Sequence, residues 1–126
     1  MSELELQIVV ADYLRLQYPD ILFHSDFGSG AHLTVRQAII QKRQNGGRRG
    51  YPDLFIAESR NKYHGLYLEI KTESNSPYKK DGTLKKDKHI EEQAEMLEKL
   101  CARGYKAEFG VGIEECKKII DEYLRS

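Results

Sequence analysis

The sequence predicts an α/β fold, a small mixed β-sheet flanked by α-helices. Two short apolar runs, residues 53–57 and 66–71, flank a polar turn and read as an antiparallel hairpin. Helical apolar spacing recurs at the start, the middle and the end of the chain. Strand-like and helical segments alternate in the order helix, strand, helix, two strands, helix, strand, helix, which suits a sheet covered by helices. With 126 residues there is room for one domain, residues 1–126, and one core.

The first helix covers residues 3–17. Leu4, Ile8, Ala11 and either Leu14 or Arg15 follow three-four spacing, with Leu6, Val9, Val10 and Tyr13 widening the apolar face. Ser2 and Glu5 have capping-box spacing, and Pro19-Asp20 stops the helix. Glu3 and Glu5 both complement the helix dipole. Glu3 also shares a stripe with Gln7, Val10 and Leu14, so it is a candidate site residue as well. Residues 21–24 read as a first strand and residues 25–30 as a loop. A second helix runs from 33 to 44, with Thr34 as a cap, Val35, Ala38, Ile39 and Ile40 on an apolar face, and Arg36, Gln37, Lys42 and Arg43 on the polar side.

From Arg36 to Arg49 there are five cations (Arg36, Lys42, Arg43, Arg48, Arg49) and no acid. Such a run is ordinarily a solvated face. Here it passes through a glycine-rich loop, residues 45–50, and ends at Tyr51-Pro52-Asp53, so it is also a candidate phosphate-binding segment. Asp53 heads one strand of the hairpin and Glu69 and Lys71 close the other. Strand alternation puts Glu69 and Lys71 on one face and Leu68 and Ile70 on the opposite one. Two carboxylates and a lysine beside an apolar sheet make a plausible site for a hard divalent cation. Residues 73–88 are polar, carry Lys79, Lys80, Lys85, Lys86 and Lys88, and read as a mobile flap. A helix over 89–103 places Ile90, Ala94, Leu97 and Leu100 or Cys101 on one side and ends at Gly104. A strand over 105–111 and a helix over 113–124 complete the chain.

Pro52-Asp53, fifteen residues, and then Glu69-Ile70-Lys71 resembles the PD-(D/E)XK nuclease signature. The opening helix with Glu3 and Gln7, the run from Gln37-Ala38 to Asp53, and Gln93 with Leu97 and Gly104 resemble the virus-type replication-repair nuclease (VRR-NUC) domain over nearly the whole chain. The resemblance implies a PD-(D/E)XK, restriction-endonuclease-like core and a metal-dependent endonuclease. Asp53, Glu69 and the Ile70 carbonyl would hold Mg²⁺ or Mn²⁺, with Glu3 completing the shell. Lys71 would position the attacking water and steady charge, and Gln93 would support the lysine. Arg36, Lys42, Arg43, Arg48, Arg49, Lys79 and Lys80 would contact DNA. A stand-alone chain resembles the phage type, which implies a homodimer acting on branched or four-way junction DNA in the cytosol of a bacterial or infected cell. The first and last helices, with Ile113, Ile119, Ile120 and Tyr123, are candidate dimer surfaces; the alternative is that both are core.

Other features narrow the reading. Equal numbers of basic and acidic residues, 20 each, leave the partner to charge distribution. No apolar stretch approaches the length of a membrane span, and the N-terminus lacks the pattern of a secretory signal. Cys101 and Cys116 are expected as reduced thiols without a metal role. His24, His32, His64 and His89 are scattered and show no ligand pairing; His24 could face the site and His89 could cap its helix. Two other functions fit the same residues. One is a non-catalytic DNA-binding module, the other a sequence-specific restriction-type endonuclease.

Overall fold

The structure, a computed structural model, describes residues 1–26 and 33–126. His32 and most of the loop expected at 25–30 lie outside the described residues. Four strands form one mixed sheet in the order β1 (Phe23–Ser25), β2 (Leu54–Ile56), β3 (Leu66–Lys71), β4 (Lys106–Val111). β1 and β2 are antiparallel, β2 and β3 form the expected hairpin pair, and β3 and β4 are parallel. A parallel pair cannot be closed by a tight turn, so α3 (Lys88–Ala102) makes the crossover between them. β1 begins two residues later than the sequence suggests, because its pairing with β2 starts at Phe23 opposite Ile56.

α1 (Glu3–Gln17) and α4 (Ile113–Leu124) lie on one sheet face. Leu6, Val10 and Leu14 from α1 and Cys116, Ile119, Ile120, Tyr123 and Leu124 from α4 join Leu54, Ile56, Leu66, Leu68 and Ile70 in the main core. Removing this apolar surface from water is the main force holding the layers together. The same packing corrects the apolar face expected for α1. Its buried residues are Leu6, Gln7, Val10 and Leu14, while Leu4 and Ile8 point outward. It also decides the alternatives for α4, whose Ile119, Ile120 and Tyr123 are core rather than exposed dimer surface. α3 covers the opposite face at β4, through Ile90 and Leu97 against Phe109.

Ser2 and Glu5 form the expected capping box on α1, and Thr34 and Gln37 form one on α2 (Val35–Gln44). α2 departs from expectation otherwise. None of its residues is buried, and Val35 is 80% and Ile39 56% exposed. The spacing correctly marks an amphipathic helix, but amphipathy does not say what the apolar face meets. The expected flap is also ordered. A 3-10 turn at Glu73–Asn75, a bridge between Tyr78 and Leu84, buried Pro77 and an edge-to-face contact of Tyr78 with Phe109 tie the segment down. Asp87, not His89, caps α3, accepting from the Ile90 amide at 3.1 Å. Both cysteines are free thiols, and burial pushes that of Cys116 up to about 12. No described helix is long and apolar enough to cross a membrane.

One polar cluster fixes α1 to α4. Tyr13 donates to both carboxylate oxygens of Asp121, at 2.6 and 2.8 Å, and Tyr18 donates to the same group at 2.6 Å. Arg125 donates to the Tyr18 hydroxyl at 3.0 Å. Hydrogen bonds to a charged acceptor are the stronger kind. Asp121→Ala should therefore cost about 1–3 kcal/mol of stability. Adding Tyr13→Phe to it should cost less than Tyr13→Phe alone. Denaturant titration of the four proteins checks this, and simple additivity would show that the cluster does not act as a unit.

Candidate active site

Backbone register sets the site residues of the hairpin. Leu54 pairs with Leu68, so Asp53, one step before β2, stands next to Glu69 on the sheet face away from α1. The Asp53 carboxylate accepts from the Ile70 amide at 2.9 Å, which ties the acid to the backbone of the neighbouring strand. Gly50 sets the approach to Asp53. It takes φ +80°, and a Cβ there would lie 2.9 Å from the Glu92 carbonyl oxygen, so only glycine lets the loop press on α3 at this point.

Asp53, Glu69 and Lys71 are each at most 2% exposed. Glu3 reaches them from the first turn of α1. One carboxylate oxygen each from Glu3, Asp53 and Glu69 lies within 4.8 Å of the others. Lys71 Nζ is 3.9 Å from Glu3 Oε1, and Asn75 donates its amide to Glu3 Oε2 at 3.2 Å. Burial raises the pKa of Asp53, and raises that of Glu69 well above the usual carboxylate range, with the neighbouring Asp53 adding to the effect on Glu69. Two adjoining carboxylates out of water resist double ionisation. Glu69 Oε2 is buried and has no hydrogen-bond partner among the described residues; the same holds for Gln93 Oε1 and Gln7 Nε2. Buried polar atoms without partners are uncommon and mark places where something else supplies the contact.

Glu69 forms part of the wall of a cleft of about 600 Å³ between α2 and α3. Val35, Ala38 and Ile39 line one side, His89, Glu92 and Gln93 the other, and Lys42, Arg48, Arg49 and Tyr51 stand along it.

A solved structure described as "VRR_NUC domain protein" matches this architecture with a TM-score of 0.70, 26% identity, and coverage of 99% of this chain and 89% of that one. The chain folds as a VRR-NUC domain. No family model and no curated protein matches the sequence. The α/β sheet with its two helical layers is accordingly of the PD-(D/E)XK-like type.

Within this VRR-NUC-like fold the structure brings together Glu3, Asp53, Glu69 and Lys71 as the sequence suggests, and puts Gln93 on the same cleft as Glu69. Of the expected DNA-binding residues, Lys42, Arg48 and Arg49 line the cleft, whereas Arg36, Arg43, Lys79 and Lys80 are exposed and lie outside its lining. Sequence reasoning missed three neighbours. His89 lies one helical turn before Gln93, and its Nε2 is 3.3 Å from the Gln93 amide nitrogen. The i, i+4 spacing was the available signal. Asp26 donates its amide to the Asp53 carbonyl at 3.0 Å, a contact that follows from β1 pairing with β2. Tyr51 lines the cleft directly before the Pro-Asp pair.

A carboxyl whose folded-state pKa is raised adds stability while protonated and loses it as pH rises through the folded value. Without metal, the protein should become less stable as pH rises above the range where unfolded carboxylic acids titrate. Glu69→Gln should flatten that decline and raise the melting temperature near neutrality by a few degrees. Thermal unfolding in chelator across a pH series measures it, and parallel curves for the two proteins would contradict the assignment.

Proposed function

We propose that residues 1–126 act as a divalent-metal-dependent DNA endonuclease that hydrolyses phosphodiester bonds in branched DNA, four-way junctions above all. The observation that carries this is the convergence of Glu3, Asp53 and Glu69 beside the buried Lys71, on a VRR-NUC fold. The donor set fits a hard cation such as Mg²⁺ or Mn²⁺, which takes carboxylate oxygens and keeps several waters. The partnerless Oε2 of Glu69 and the upward pull on both acids are what a cation would relieve.

Asp53 and Glu69 would hold the metal, with Glu3 completing the set. The Ile70 carbonyl would be a further ligand, because a strand residue turns its N–H and C=O to the same neighbour and the Ile70 amide faces Asp53. When bound, such an ion supplies a water of lowered pKa and neutralises phosphate charge. The chain's own residues do the rest. Lys71 sits beside the acids with its charge held in place by Glu3, suited to orient the attacking water and to steady negative charge on the scissile phosphate. Gln93 presents a free carbonyl oxygen to the cleft and is braced by His89, so it can orient a water or the lysine. Lys42, Arg48 and Arg49, which line the cleft, would grip phosphates and fix the strand over the acids. A homodimer would present two such sites across a two-fold axis, which suits a four-way junction.

Incubation with linear, flapped and four-way substrates of matched sequence, in Mg²⁺ or Mn²⁺, should give preferential nicking of the branched forms. Asp53→Ala and Lys71→Ala should each lower the rate by about 100-fold or more. Full activity in either variant overturns the assignment. Equal cleavage of the linear duplex at one sequence would favour a restriction-type enzyme, and salt-sensitive binding without cleavage a DNA-binding module.

A further inference from the structure

The sheet face that carries Asp53 and Glu69 continues, two residues along each strand, into a row of aromatic rings. Phe55 and Tyr67 are cross-strand partners with ring centroids 4.5 Å apart. Tyr105 meets both edge-to-face, at 5.2 Å from Tyr67 and 6.1 Å from Phe55, and His64 adds a further ring 5.6 Å from Tyr105. Tyr51, which is exposed, lines the same cleft as Glu69 at the active-site end of the row. The row therefore starts at the candidate active site and leads away from it.

Three features set this row apart from ordinary core. Phe55, Tyr67 and Tyr105 are half-buried, and among the described residues they belong to neither apolar cluster. Two glycines hold the rings down on the backbone. A Cβ at Gly65 would lie 2.7 Å from the Phe55 ring, and one at Gly104 would lie 2.7 Å from the His64 ring. The charge around the row suits a polyanion. The segments around the rings carry Arg60, Lys62, Lys99, Arg103 and Lys106; Arg60 pairs with Glu58 and Lys106 with Glu108 at 2.9 Å, while Lys62, Lys99 and Arg103 meet no acid among the described residues. Arg48 and Arg49 stand at the cleft end.

We propose that Tyr51, Tyr67, Phe55 and Tyr105 form a stacking site for the unpaired bases of a DNA strand that enters or leaves the acidic cleft. Every base offers a π-face, so flat rings beside a basic margin bind single strands with little sequence preference, whereas a duplex keeps its faces stacked internally. This deepens the nuclease reading by naming the part of the substrate recognised away from the cut. A branched substrate supplies such unpaired bases next to the scissile bond.

The test measures binding in chelator, so it does not depend on cleavage. The chain has no tryptophan, and Tyr67→Trp therefore installs a single reporter. Its fluorescence should be quenched by a single-stranded oligonucleotide and little changed by a blunt duplex of the same sequence. Tyr67→Leu and Tyr105→Leu keep apolar bulk at the site. Each should weaken single-strand binding about 10-fold and duplex binding much less, with circular dichroism confirming the fold. Equal loss for both DNAs, or single-strand binding without quenching, overturns the proposal. So does a change of oligomeric state in the leucine variants without a change in binding, which would assign the row to a second copy of the chain. Normal cleavage with failed stacking sinks this inference alone; normal stacking with an active Asp53→Ala sinks the nuclease assignment alone.

Discussion

Two carboxylates held side by side away from water are the constraint around which this domain is arranged. Asp53 and Glu69 sit on adjacent strands, and among the described residues one amide and the neighbouring lysine offset their charge. Holding them there takes a well-packed frame, because an uncompensated buried charge tends to drag water in or push the strands apart. The main core under β2 and β3 provides the frame. Leu54, Leu68 and Ile70, the strand residues that alternate with the two acids, are fully packed against α1 and α4. A single strand thus does opposite jobs on its two faces.

The parallel pairing of β3 with β4 is the second element of the arrangement. It brings the crossover helix α3 over the face that holds the acids, so Gln93 and His89 reach the cleft from a rigid support rather than from a loop. α1 approaches from the other layer and contributes only its first turn. The cluster of Tyr13, Tyr18 and Asp121 explains how that first turn can be so well placed: the far end of the helix is fastened to α4, which is fastened to the sheet. Position at Glu3 is therefore set more than two turns away.

Much of this could be read from the residues. Alternation in Leu66 to Lys71 separates the acid and lysine from the core, and the stripe Glu3, Gln7, Val10, Leu14 already hints that a core-facing helix side ends in a polar tip. Both capping boxes follow from spacing. What could not be read has a common physical cause, namely that local pattern carries no information on which surfaces meet. α2 has a good apolar side but no buried partner among the described residues, and the segment after β3 looks loose by composition yet is pinned by Pro77 and Tyr78. Phe55, Tyr67 and Tyr105 are 12 and 38 residues apart along the chain, and only the sheet makes them neighbours.

The glycine-rich loop before Asp53 changes character within three residues. Both Gly47 and Gly50 have φ near +80°, but at Gly47 an added side chain would meet nothing within 4 Å, whereas at Gly50 it would also strike the α3 backbone. A side chain at the upstream end would thus be felt as strain in the loop's own left-handed backbone, while the downstream end behaves as a fixed rivet. A residue grafted at the first of these positions burdens only the loop itself, whereas one at the second would displace the helix that carries Gln93.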